Sequence, residues 1–304
     1  MEKIQLAIIG SGPAGLTAAI YAARAGVKPV IFSGTNPGGQ LMQTTIVENY
    51  PGFAEGVRGP ELMQNMINQA KNMGAEMLFE TIDEVDFSRR PFLIKSSEKE
   101  YKADYVIIAT GAVPKKLGIK SENKFWGRGV SSCATCDGAF FKDKTVAIIG
   151  GGNVAFEDAL YMTNHAKKVY LIHRREDFKA EKVTVEKART NKKIEFLLNY
   201  EVEEVLGDQK VEGAKLKPTI DKLSTKKIKI DGMFVAIGYL PKTEIFRDQV
   251  ELDAGGYIKK YSKSSTSVEG VYVAGDAEDY IYRQAITAAA DGCKAAMDLI
   301  NDIT

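Results

Sequence analysis

Two thiols three residues apart can close into a small disulfide ring or open as a dithiol, and Cys133 and Cys136 form such a pair. Asp137, an acid, follows directly. The same spacing occurs in zinc knuckles, which need four ligands, usually Cys or His. The other Cys and His residues are Cys293, His165 and His173, none at second-knuckle spacing, so no metal site is expected. A C-x-x-C close to a β-α-β pattern reads instead as a redox motif. Such a pattern starts a few residues on, where the apolar run Val146–Ile149 meets Gly150-Gly151-Gly152-Asn153-Val154-Ala155.

That hexapeptide has the G-x-G-x-x-A form of a dinucleotide turn. Its first glycine permits the tight turn, its second lets backbone approach a pyrophosphate, and its last small residue lets a helix pack on the strand. The pattern predicts a helix from Val154 to His165 and a strand over Lys168–Ile172. The strand ends in His173-Arg174-Arg175, with Lys179 close behind. An acid at this strand end suits a free ribose 2′-hydroxyl, whereas arginines suit a 2′-phosphate. Each guanidinium grips phosphate through two donors. NADPH is therefore favoured over NADH, held by Gly150, Gly152, Asn153, Val154, Ala155, His173, Arg174, Arg175 and Lys179. A further strand over Gly232–Gly238 brings Ile237 and Gly238 back to the same nucleotide.

A second fingerprint lies near the start of the chain. The apolar run Ile4–Ile9 reads as a buried parallel strand and meets Gly10-Ser11-Gly12-Pro13-Ala14-Gly15. A helix through Leu16–Arg24, capped by Gly26, and a strand over Lys28–Phe32 should follow. That strand lacks the carboxylate expected to hold a ribose, and only Ser33 is available. Gly38 and Gly39 allow another close backbone approach, and Gln40 and Asn49 offer amides to a ring edge. A helix from Gly59 to Lys71 should turn Leu62, Met66, Ile67 and Ala70 inward. Strands are expected over Glu76–Phe79, Pro91–Lys95 and Asp104–Ala109, the last leading into Thr110-Gly111. Near the other end, Gly270–Gly275 reads as a strand followed by Asp276, which suits hydroxyl binding. Tyr282-Arg283-Gln284-Ala285 then opens an Ala-rich helix through Leu299, whose N-terminus can face pyrophosphate or a ring carbonyl. Cys293, inside that helix, reads as a small core residue.

The 304 residues suffice for one or two domains with sizeable cores. A net charge of +1 gives no global electrostatic case for nucleic acid or an anionic membrane. Three cysteines are too few for a secreted disulfide scaffold. No apolar run is long enough for a bilayer, and the first strand begins too early to leave room for a signal peptide. A cytoplasmic α/β protein is expected. Pro114 and Pro241 mark two boundaries, and the lysines between Lys210 and Lys229 read as a solvated β face.

Taken together and in this order, these motifs resemble the low-molecular-weight thioredoxin reductases, class II flavoproteins among the pyridine nucleotide-disulfide oxidoreductases. The resemblance rests on Gly10–Gly15, Gly38–Leu41, Glu48–Gly52, Ala109–Gly111, Cys133–Asp137, Gly150–Ala155, His173–Arg175, Gly275-Asp276 and Tyr282–Ala285. It implies two Rossmann-like dinucleotide-binding domains, the second inserted into the first. Residues 1–114 and 245–304 would bind FAD, and residues 115–244 would bind NADPH and carry the thiols. FAD would meet Gly10, Ser11, Gly12, Pro13, Ala14, Gly15, Gly38, Gly39, Gln40, Leu41, Asn49, Thr110, Gly111, Gly275, Asp276, Arg283, Gln284 and Ala285. The resemblance further implies a homodimer and a thioredoxin or thioredoxin-like partner. Cys136 would take electrons from the flavin, Cys133 would attack the partner disulfide, and Asp137 would handle protons. A related FAD dithiol reductase serving another redoxin, a small disulfide or a donor such as ferredoxin stays open at this point. The chain departs from the family pattern at Lys179, where a third arginine is frequent, at Tyr239, where histidine is common, and at Lys242, where asparagine is common.

Overall fold

The computed structural model describes residues 1–303. The chain divides into two compact units, Met1–Val113 with Leu240–Thr304, and Pro114–Tyr239. Each is built on a largely parallel sheet with helices between strands, as the α/β reading expects.

In the first unit the opening apolar run forms the strand Glu2–Ile9, with Leu6, Ala7 and Ile8 fully buried. Such a strand is covered on both faces, which is why it reads as a continuous hydrophobic run. It pairs in parallel with Pro29–Phe32 on one side and Glu100–Ile108 on the other. Glu76–Leu78 extends the sheet beyond Pro29–Phe32. The outer edge of Glu100–Ile108 is shared between two partners. Its first residues pair antiparallel with Phe92–Ser96, which continues to Ile82–Asp86, while its last three pair in parallel with Val271–Val273. The end of the chain therefore completes a sheet begun by its start.

The helix Pro13–Arg24 places proline in its first turn, where a missing N–H costs nothing. Gly26 closes it, its N–H reaching the Ala23 carbonyl at 3.0 Å. The buried face carries Ala14, Gly15, Ala18, Ala19 and Ala22, so another helix can approach closely. That helix is Ala285–Ile303, which runs four residues past the expected Leu299. A Cβ on Gly292 would lie 2.0 Å from the Ala14 carbonyl oxygen. The helix Gly59–Asn72 buries Leu62, Met66, Ile67 and Ala70, and Met63 with them.

The second unit holds five parallel strands in the order Val130–Ser131, Gly232–Val235, Thr145–Ile149, Lys168–His173, Ile194–Leu198. The helix after the fingerprint is Asn153–Met162, shorter than the sequence pattern predicts. The N–H groups of Thr163, Asn164 and His165 each reach a carbonyl three residues back, so the chain tightens out of the α-helix there. The strand from Gly232 stops at Val235, leaving Ile237 and Gly238 in the loop beyond it. The lysine-rich region forms an antiparallel sheet of Tyr200–Leu206, Gly213–Pro218 and Lys226–Lys229. Its lysines face outward, and Lys215 and Lys217 pair with Glu203 and Glu201 at 3.0 and 2.9 Å. The chain crosses between the units after Val113 and again after Tyr239.

In an ordinary helix interior, replacing glycine by alanine stabilises by about 1 kcal/mol. At Gly292 the sign should reverse, because a methyl group has nowhere to go against Ala14. Gly292→Ala is expected to destabilise the protein by roughly 1–3 kcal/mol, read as a lower thermal midpoint.

Candidate functional site

The strand Val130–Ser131 delivers the chain to the thiol pair, and the short helix Ala134–Asp137 starts immediately after Cys133. Cys133 and Cys136 are joined as a disulfide, with Cα atoms 5.3 Å apart. The Cys133 Sγ accepts the Cys136 N–H at 3.2 Å and lies 3.3 Å from the Thr135 hydroxyl. Burial pushes the Asp137 carboxyl above the usual range, and a hydrogen bond with Ser131 draws it part of the way back. The Ser131 hydroxyl also accepts the backbone N–H of Cys133 at 3.1 Å, so one side chain ties the acid to the Cys133 backbone. The Tyr239 hydroxyl donates to the Ser132 carbonyl at 3.0 Å and lies 3.1 Å from the Ser132 hydroxyl. Sequence reasoning missed Ser131, Ser132 and Thr135, although three hydroxyls around two thiols were a usable sign. Tyr239 stood out only as a departure from the family pattern.

The dinucleotide turn of this unit follows. Gly150 adopts φ +155, and a Cβ there would meet the Ala236 carbonyl oxygen at 2.4 Å. Ala155 is fully buried against the sheet, so the small residue closing the motif is required for packing. A Cβ on Gly152 meets nothing within 4 Å, leaving that face of the helix N-terminus open to a ligand. The basic loop is tied back to the turn. The Lys179 N–H reaches the Gly151 carbonyl at 2.9 Å, and Asn153 Oδ1 accepts the Glu181 N–H at 2.8 Å. His173 packs over Gly151, where a Cβ would strike its ring at 2.3 Å. Burial lowers the His173 pKa, so its ring favours the neutral form. Arg174, Arg175 and Lys179 are exposed, and Ile237 is partly so. Among the described residues neither arginine forms an ion pair.

The first unit repeats the construction. Gly10, at φ +115, would place a Cβ 2.2 Å from the Ala109 carbonyl oxygen, and Gly12 again opens onto free space. The Gly38 N–H reaches the Ser11 hydroxyl at 3.1 Å, and Gly39 sits against Gly12. Gly275 packs on Ala14, which sets Asp276 beside the same turn. The Gln40 amide donates to the Ala112 carbonyl, next to Thr110 and Gly111, and Leu41 continues the same short turn. The Asn49 amide donates to Gln284 Oε1 at 3.2 Å. Asp279 caps the segment before the last helix by accepting the N–H groups of Ile281 and Tyr282, and this orders Arg283, Gln284 and Ala285. Burial, with Asp279 nearby, pushes the Asp276 carboxyl up to about 7, and Arg283 offsets part of the effect. Cys293 corrects the sequence reading. It is half-buried rather than in the core, and its sulfur interacts with the partly exposed Tyr21 hydroxyl.

Residues 4–292 match the pyridine nucleotide-disulphide oxidoreductase family. The chain belongs to that family. It is 51% identical over 299 residues to the thioredoxin reductase of Rickettsia conorii, spanning 96% of this chain and 95% of that one. It is 49% identical over 292 residues to the thioredoxin reductase of Mycolicibacterium smegmatis, spanning 96% and 94%. A solved thioredoxin reductase from Giardia duodenalis superposes with a TM-score of 0.94 at 41% identity, covering 100% of this chain and 99% of that one. One from Streptococcus pyogenes gives 0.94 at 34% identity, covering 99% and 98%. The resemblance read from the motifs thus holds along nearly the whole chain, and this family member is an oxidoreductase with a disulfide at the expected pair.

Two outcomes are expected. Tyr239→Phe removes a hydrogen bond to the segment before Cys133 and should destabilise the disulfide form by about 1 kcal/mol, read in a denaturant titration. Asp276 concerns pH. Its folded pKa lies above the unfolded value, so its favourable contribution is complete below about pH 4 and is lost as pH rises through about 7. Asp276→Asn should therefore raise the thermal midpoint of flavin-free protein at pH 8, and the gain should vanish at pH 4.

Proposed function

We propose that this protein reduces the disulfide of thioredoxin with electrons from NADPH, using FAD and the Cys133–Cys136 pair. The observation that carries the reading is the disulfide itself, in a unit that also presents two exposed guanidinium groups beyond a glycine turn. Residues 1–114 and 245–304 are assigned to FAD, and 115–244 to NADPH. The first turn fits a flavin dinucleotide: Gly12 leaves room for pyrophosphate, and Asp276 is a carboxylate whose burial a ligand hydroxyl would relieve. The second turn fits NADPH through Gly152 and the arginines. Bound FAD supplies two-electron chemistry between nicotinamide and disulfide.

The chain's own residues do the rest. Cys136 is assigned the electron-receiving role. The Cys133 thiolate attacks one sulfur of the partner disulfide and forms a mixed disulfide. Cys136 then attacks the Cys133 sulfur, which restores the internal disulfide and releases the partner as a dithiol. Asp137 gives a proton to the departing thiolate. Support for thioredoxin as partner comes from the relatives, and the homodimer and cytoplasmic location rest on the same likeness. Among the described residues no helix is long and apolar enough to cross a membrane.

Steady-state nicotinamide oxidation with oxidised thioredoxin tests the reading. Cys133→Ser should reduce turnover to background while the flavin still accepts electrons. Reduction of the flavin without thioredoxin turnover in the unmodified protein would move the substrate to another redoxin or a small disulfide. Replacing Arg174 and Arg175 by alanine should raise KM for NADPH about tenfold or more, since charge-assisted bonds are lost. NADH kinetics should hardly change, and equal losses for both nucleotides would defeat the coenzyme assignment.

A further inference from the structure

The loop after the strand Lys168–His173 reads Arg174-Arg175-Glu176-Asp177, two cations followed at once by two acids. An acid that paired with an exposed guanidinium would leave it fewer donors for a phosphate. Here that pairing does not occur among the described residues. Glu176 is turned elsewhere: its Oε1 accepts the Asn199 amide at 2.7 Å. We infer that Asn199 is a specificity-determining residue, which holds Glu176 aside so that Arg174 and Arg175 stay available to a ribose 2′-phosphate.

The position of Asn199 suits this task. It is the single residue between the strands Ile194–Leu198 and Tyr200–Leu206, where the chain leaves the parallel sheet for the antiparallel one. Its φ of 60° is left-handed, a conformation that asparagine tolerates better than most residues. Asn199 is half-buried, and its amide meets the Glu176 carboxylate at the exposed rim of this corner. The same corner also fixes the loop backbone. The Thr219 N–H reaches the Asn199 carbonyl at 2.9 Å, and the Thr219 hydroxyl donates to the Arg174 carbonyl at 2.9 Å. One edge of the lysine-rich sheet thus pins the loop at Arg174 and removes the carboxylate at Glu176. A neutral amide does this without adding a second cation. The inference rests on the NADPH reading of this site and adds to it a residue outside the fingerprint and outside the basic loop.

The test is equilibrium binding of two probes to the FAD-loaded protein by calorimetry: adenosine 2′,5′-bisphosphate, which carries the 2′-phosphate, and 5′-AMP, which lacks it. Asn199→Gly keeps the left-handed backbone and removes the amide. It is expected to weaken the bisphosphate roughly fivefold, the scale of one exposed ion pair, and to leave 5′-AMP unchanged. Adding Glu176→Gln to that variant should restore the parent affinity. Glu176→Gln alone, which leaves the fold's corner intact, should change bisphosphate affinity less than about twofold, because the carboxylate is already held away. Unchanged bisphosphate binding in Asn199→Gly, equal weakening of both probes, or no rescue by Glu176→Gln would overturn the inference. A marked tightening in Glu176→Gln alone would also overturn it. Equal binding of the two probes by the unmodified protein would instead defeat the NADPH reading, and the inference with it.

Discussion

Both units depend on a backbone carbonyl pressed against a glycine that has no room for a side chain. The carbonyl of Ala109 stands over Gly10, and the carbonyl of Ala236 stands over Gly150. In each case the strand before the glycine is bonded to the neighbouring strand at the point of contact. Ala109 N–H reaches the Ile9 carbonyl and Ala236 N–H reaches the Ile149 carbonyl, both at 2.8 Å. The neighbouring chain then departs through Ala-Thr-Gly in one unit and Ala-Ile-Gly in the other, and the last glycine has a positive φ both times. This close approach lets the following helix start at the sheet edge with its N-terminus open. A side chain at either glycine would push the strands apart and close the ligand face.

The remaining architecture supports that geometry in the first unit and adds chemistry to it in the second. In the first unit small residues on Pro13–Arg24 let Ala285–Ile303 pack within backbone contact, and Gly275 places Asp276 against the turn. In the second unit the parallel sheet carries the glycine turn on one strand and delivers the thiol pair from the end of another. Hydroxyls of Ser131 and Thr135 bond to Cys133 of the disulfide, and the Tyr239 hydroxyl holds Ser132 just before it.

Much of this was legible in the sequence because it is written in local patterns. Apolar runs before Gly10 and Gly150 mark buried strands, the glycine spacing marks the turns, and Cys133-Ala134-Thr135-Cys136 marks the redox pair. Arg174 and Arg175 were readable for the same reason, since the end of that strand has a fixed place relative to the turn. Pairings set by tertiary register were not legible. Tyr239 meets Ser132, and Asn199 meets Glu176, only because separate strands end side by side. The end of the helix at Met162 carries no glycine or proline to announce it, and the three residues after it bond three residues back instead of four. Cys293 misled because an Ala-rich helix suggests burial all round, whereas this helix keeps one face outward, with Met297 46% exposed.

The most direct test of the account is whether NADPH opens the Cys133–Cys136 bond. The FAD-loaded protein would be treated anaerobically with NADPH, trapped with an alkylating reagent, and mapped by mass spectrometry. The account requires both cysteines to be alkylated after NADPH and neither to be alkylated without it. Oxidation of NADPH with the disulfide left intact would contradict the central claim, since the electrons would then leave the protein by a route that bypasses the thiols.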